Sequence, residues 1–123
     1  MTKPIAVSAL LLGLVVFGFG WPAAASAQDA VTVQGEIVDM ACYLPKGSRG
    51  PAHKACAQMC VKRGAPIGLL TDAGELYLLV DDHNNPDPYE AVKKLAGDRA
   101  EVKGNKFSRQ GMAGLVVEAV KGL

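Results

Sequence analysis

The chain has 123 residues, half of them hydrophobic and 6% aromatic, with 13 Lys and Arg against 12 Asp and Glu for a net charge of +1. A balance this even, with no basic stripe and no aromatics interleaved with Arg and Lys, excludes a nucleic-acid surface. With only three cysteines and two histidines in the chain, the compartment decides whether the thiols bind metal, trade electrons or cross-link.

Met1, Thr2 and Lys3 precede a nearly uncharged apolar run from Ile5 to Phe19, which is followed by Trp21, Pro22 and the small residues of "AAASAQ". A positive start, a short apolar centre and an A-x-A site predict a secretory signal peptide over residues 1–27, cleaved after Ala27. The alternative is a retained membrane anchor, since Pro4 to Ala27 is almost long enough to span a bilayer. Gly18, Gly20 and Pro22 favour cleavage, because they break the run where a peptidase needs extended chain. No cysteine directly follows the run, which argues against a lipoprotein anchor. Residues 28–123 are then one periplasmic or secreted domain without a stable membrane anchor. It is small enough that a cross-link or bound metal would matter to its stability.

"VTVQGEIV", residues 31–38, alternates apolar and polar side chains and reads as a half-buried strand, with Gly35 marking a bulge or sharp bend. After Asp39, Met40, Ala41 and Cys42 the chain loosens through "YLPKGSRG". Pro51 opens a helix that runs to about Arg63, and Gly64 and Pro66 end it. "PIGLLTD" and "ELYLLVDD" are two strands around the turn at Asp72, Ala73 and Gly74. After "HNNPD", Asp87 is expected to cap a second helix, with Pro88 at its first position and Glu90 completing a capping box; Gly97 ends it. "AEVKGNKFSRQGMAGLVVEAV" reads as two strands joined around Ser108 to Gly111. In the last strand Leu115, Val117 and Ala119 should face one way and Val116, Glu118 and Val120 the other.

This order predicts a mainly β domain with two short helices (α+β), arranged as a small five-stranded antiparallel barrel. The connections between successive strands are too short for parallel crossovers.

The closing stretch, "AEVKGNKF" followed by a turn and "GLVVEAV", resembles the last strands of small exported bacterial OB-fold proteins. "VDMACYL", "GPAHKACAQMCVKRGAPIGLL" and "ELYLL" resemble a family of small, exported, largely uncharacterised bacterial proteins that share H-x-x-C-x-x-x-C followed by G-x-P-x-G-L. The first likeness implies an OB-like domain over residues 28–123. The second implies a shared site without an established activity.

On a helix of 3.6 residues per turn, His53, Cys56 and Cys60 fall within about 60° of one another on one face. If the first strand packs on that face, Cys42 completes a Cys₃His set of Cys42, His53, Cys56 and Cys60. Three thiolates and an imidazole suit zinc, and the soft sulfur donors also suit copper(I). Met40 and Met59 are further thioether donors, with Met59 pointing off the stripe. This reading makes the protein an exported copper or zinc carrier, sensor or assembly factor. It is expected to be a monomer, with a periplasmic protein as its candidate partner.

Two other readings stay open. A disulfide between Cys42 and either Cys60 or Cys56 would make a disulfide-stabilised OB-like interaction module, although three cysteines leave one thiol over. Cys56 and Cys60 are a poorer pair at i and i+4 on one helix. A thiol-disulfide oxidoreductase would use a thiolate activated by His53, or a dithiol, but a cysteine in mid-helix is poorly presented to a substrate. His83 reads as a solvated turn residue, with metal binding beside Asp81 or Asp82 as its functional alternative. Gly64, Pro66 and Gly68 read as the turn from helix to sheet; alternatively they let backbone approach the cysteine stripe closely.

Overall fold

The structure is a computed structural model that describes Thr2 and residues 29–123. The leader, its cleavage site and the anchor alternative lie outside the described residues. Strand β1 (Asp29–Asp39) leads into helix α1 (Met40–Lys46), then a 3₁₀ turn (Pro51–His53) and helix α2 (Lys54–Lys62). Strands β2 (Ile67–Leu70) and β3 (Leu76–Val80), helix α3 (Asp87–Lys93) and strands β4 (Arg99–Arg109) and β5 (Met112–Gly122) complete the chain. Among the described residues, no helix is long and apolar enough to cross a membrane.

The five strands close into a barrel in the order β1-β2-β3-β5-β4, as expected for a small OB-like domain. The all-antiparallel arrangement is corrected at one seam: β3 and β5 run parallel, with Leu78 opposite Gly114 and Val80 opposite Val116. Closure itself requires this. Strand direction cannot alternate all the way round a ring with an odd number of members, so at least one neighbouring pair must be parallel. The seam falls between strands separated by α3 and β4, which supply the long connection that parallel pairing needs.

Inward-facing Ile37, Ile67, Leu69, Tyr77, Leu79, Val102, Leu115 and Val117 fill the barrel. Val92 and Ala96 plug it from α3 and the turn that follows, and Ala57 and Val61 cover it from α2. In β5 the expected alternation holds at Leu115 and Val117 and then fails. A register shift between Lys103 and Gly104 leaves Glu118 without a partner, so Ala119 turns outward and Val120 packs against the core. The bulge therefore sits in the β4–β5 pair, and not at Gly35, where the β1–β4 register is unbroken. Gly35 serves close approach instead, because a Cβ there would lie 2.3 Å from the Leu70 carbonyl oxygen. Beside it, Glu36 pairs with Arg99 of β4 and Leu70 of β2, which marks where β1 leaves one neighbour for the other.

Among the described residues there are three α-helices where two were expected. The extra one, α1, starts at an aspartate cap and ends at Gly47, whose left-handed backbone (φ +66°) lets its N–H reach the Tyr43 carbonyl at 2.7 Å. The helix expected from Pro51 to Arg63 begins as a 3₁₀ turn, which puts His53 at the N-cap of α2 rather than inside it. At α3 the capping box does not form. Pro86 takes the cap position with helical dihedrals, so Asp87 becomes the first helical residue and Glu90 pairs with Lys93 instead.

Candidate metal centre

β1 ends at Asp39, whose residue is only 1% exposed, the one buried charged residue among those described. Its carboxylate does two jobs. Oδ1 accepts the Cys42 backbone N–H at 2.8 Å and so starts α1, while Oδ2 lies 2.9 Å from His53 Nε2. Burying a carboxylate is costly unless it is hydrogen-bonded, and here the cap and the imidazole both satisfy it. With Nε2 engaged, Nδ1 is the ring nitrogen left for an ion. A carboxylate behind an imidazole is the arrangement that fixes the tautomer of metal-binding histidines.

Cys42, in the first turn of α1, is the hub. Its Sγ lies 4.0 Å from Cys60 Sγ in the last turn of α2. Two three-residue groups have ligand atoms that all lie within 4.8 Å of one another: Cys42, His53 and Cys56, and Asp39, Cys42 and Cys60. All four residues expected from the sequence are thus drawn together, with Cys42 shared by both groups. Cys56 and Cys60 have no group in common, so the four do not close a single tetrahedron as placed. Exposure is graded across the cluster: Cys56 is exposed, Cys42, His53 and Cys60 are half-buried, and Asp39 is buried.

The Cys42 thiol is pushed up to about 12, first by burial and then by hydrogen bonding to Asp39 and Cys60. Without a cation it is a protonated thiol at neutral pH and a poor nucleophile. A bound cation would reverse that balance and displace the proton. All three cysteines are free thiols in the structure.

Asp39 is the site residue that the sequence reading misses, and its signal was present: a good capping residue stands directly before "MAC". Of the other candidates, His83 stands apart from the cluster. The His83 side chain is 94% exposed and 3.7 Å from Asp81, in neither metal-competent group. Met59 is 54% exposed. Met40 lies against Gly68, where an added Cβ would come 2.6 Å from its Sδ; the close approach allowed by Gly68 is therefore to Met40. Gly64 (φ +98°) and Pro66 form the turn out of α2, and the Pro66 carbonyl accepts the Met40 N–H at 2.9 Å. No protein-family model and no curated protein sequence matches the chain.

Proposed function

We propose that the protein is an exported binder of a soft cation, copper(I) or zinc, acting as a carrier, sensor or assembly factor with a periplasmic partner. The observation that carries the reading is the 4.0 Å separation of Cys42 Sγ and Cys60 Sγ beside the Asp39–His53 pair. With metal–sulfur bonds of about 2.3 Å, two thiolates on one ion stand about 3.8 Å apart at a tetrahedral angle and about 4.0 Å at a trigonal one. The two thiols thus already stand at the spacing an ion requires, and a preorientated imidazole and a carboxylate are at hand as further donors. Export is supported by the charged start, the apolar run and the A-x-A site of residues 1–27. The quoted H-x-x-C-x-x-x-C and G-x-P-x-G-L segments support membership of the small exported family they resemble.

The test is anaerobic titration of reduced protein with Zn(II) and with Cu(I). One ion per chain is expected, and Cys42→Ser should abolish binding because it removes the shared donor. A parent protein that binds neither ion, or a Cys42→Ser variant that binds as the parent does, would overturn the reading. N-terminal sequencing of exported protein should begin near Gln28; an intact Met1 or Thr2 terminus in a membrane fraction would refute export by cleavage.

The same proximity favours a second reading, in which Cys42 and Cys60 pair as a disulfide that ties α1 to α2 in an oxidising compartment. A metal-free mass two hydrogen atoms below that of the reduced chain in protein isolated from that compartment, with Cys56 still alkylatable, would select it.

A further inference from the structure

We infer that the two overlapping ligand groups are successive stations for one ion, entered at Cys56 and ending at Cys60, with Cys42 bonded to the ion throughout. The inference rests on the metal-binding reading above. Two donors on a single ion with bonds of about 2.3 Å are at most about 4.6 Å apart. Cys56 and Cys60 fall in no common group within 4.8 Å, whereas each falls in one with Cys42. One ion therefore does not hold both outer thiols at once as they are placed, and a move from one to the other keeps Cys42 as pivot.

The gradient of exposure sets the direction. The first station contains the exposed Cys56 and half-buried His53, and the second contains half-buried Cys60 and buried Asp39. Cys56 is the donor an incoming ion or a partner's ligand can reach; Asp39 is the donor that water cannot. In the exchange the Cys56–metal bond breaks as the Cys60–metal bond forms. Cys60 gives up its thiol proton and Cys56 takes one, so atoms and charges balance with no oxidant or reductant. His53 is meanwhile replaced by Asp39, whose carboxylate offers about four lone-pair positions and, with the Cys42 thiol proton displaced, uses two on Cys42 N–H and His53. A carboxylate in place of a neutral imidazole adds one negative charge against the cation, which favours the inner station.

The experiment uses whichever of Zn(II) or Cu(I) the parent binds, and measures both affinity and the rate of transfer to and from a coloured chelator by stopped flow. Cys56→Ser should keep one ion per chain with affinity within about threefold of the parent, while uptake and release slow by about tenfold or more. Cys60→Ser should exchange rapidly but bind at least about tenfold more weakly, since it leaves only the outer station. Cys56→Ala guards against a serine oxygen standing in for the lost sulfur and should behave as Cys56→Ser. Equal loss of affinity in the Cys56 and Cys60 variants would show a single site using both thiols and overturn the relay. Parental exchange rates in Cys56→Ser would also overturn it, by removing Cys56 from the path. Failure of the metal reading itself is separate, because it is read from the parent protein alone.

Discussion

Asp39→Asn is the substitution that most sharply tests how the site is built. The carboxylate accepts on both sides, from Cys42 N–H at 2.8 Å and from His53 Nε2 at 2.9 Å. An amide of the same shape has one accepting oxygen and one donating nitrogen. If the oxygen stays on the Cys42 N–H, the cap survives, since Asn caps helices as well as Asp. The amide nitrogen then donates to Nε2, which forces the imidazole proton onto Nδ1 and removes the lone pair an ion needs. If the amide flips, His53 keeps its tautomer but α1 loses its cap, at a cost of about 1 kcal/mol. The first arrangement is cheaper for the fold. Metal-free Asp39→Asn should therefore unfold in urea within about 1 kcal/mol of the parent, while metal affinity falls by about 10- to 100-fold, through the lost His53 lone pair and the lost anionic oxygen donor together. Asp39→Ala should add a structural loss of about 2 to 4 kcal/mol, from the missing cap and an unsatisfied imidazole at a largely buried position. Competition titration against a chelator reads the affinity, and nitrogen-15 spectra of His53 read the tautomer. Parental affinity in Asp39→Asn, with the proton on Nδ1, would refute both the assignment of that nitrogen to the ion and Asp39 as the anionic donor of the inner group.

In metal-free, reduced protein at pH 8, alkylation monitored by mass spectrometry should modify exposed Cys56 first and Cys42 last, because the Cys42 thiol is raised from 9.0 to about 12. The same shift fixes a pH dependence: the folded state favours the protonated thiol, so its stabilisation is complete below about pH 9 and is lost as pH rises towards about 12. Thermal melts across that range should fall in the parent and fall less in Cys42→Ala. Gly35→Ala and Gly104→Ala place a Cβ 2.3 Å from the Leu70 oxygen and 2.2 Å from the Val116 oxygen. Each should destabilise by about 3 kcal/mol or more in urea unfolding, the upper end of overpacking costs, since backbone must shift. Gly74→Ala, with open space but φ +85°, should cost only about 1 to 2 kcal/mol; equal losses at all three positions would contradict the close-approach account.

The architecture was legible where one physical signal dominated. Alternation in "VTVQGEIV", the Asp72–Ala73–Gly74 turn and the proline-to-glycine span of "PAHKACAQMCVKRG" each gave an element the structure contains. The β4–β5 hairpin is tighter than its Ser108–Gly111 estimate, closing on Gln110 (φ +53°) and Gly111 (φ +83°), because positive φ at both centres matches the twist of the strands. Non-local features were out of reach of periodicity. The Glu118 bulge depends on Gly104 meeting the Val116 carbonyl, a contact between residues twelve apart that leaves no mark in either strand's pattern. Short α1 was hidden by Pro45 and "KGSRG", although both of its caps, Asp39 and Gly47, stand in the sequence.

The site was legible in its donors and illegible in its partition. Spacing along one helix places His53, Cys56 and Cys60 on a stripe, and that stripe invites a single tetrahedron completed by Cys42. The 3₁₀ turn at Pro51–His53 changes this by taking His53 out of the regular helix and onto Asp39. Cys42 approaches from α1, a helix that exists because the same aspartate caps it. One buried carboxylate thus sets the start of α1, the orientation of His53 and the position of the thiol that both ligand groups share. The capping half of the aspartate's role is local and stands in "VDMAC", but its hold on His53 spans fourteen residues and leaves no mark in either segment's pattern. A metal centre organised this way couples ligand geometry to the end of β1. Substituting Ile67, which pairs with Asp39 across the β1–β2 seam, should therefore weaken metal binding even though no ligand to the ion is altered.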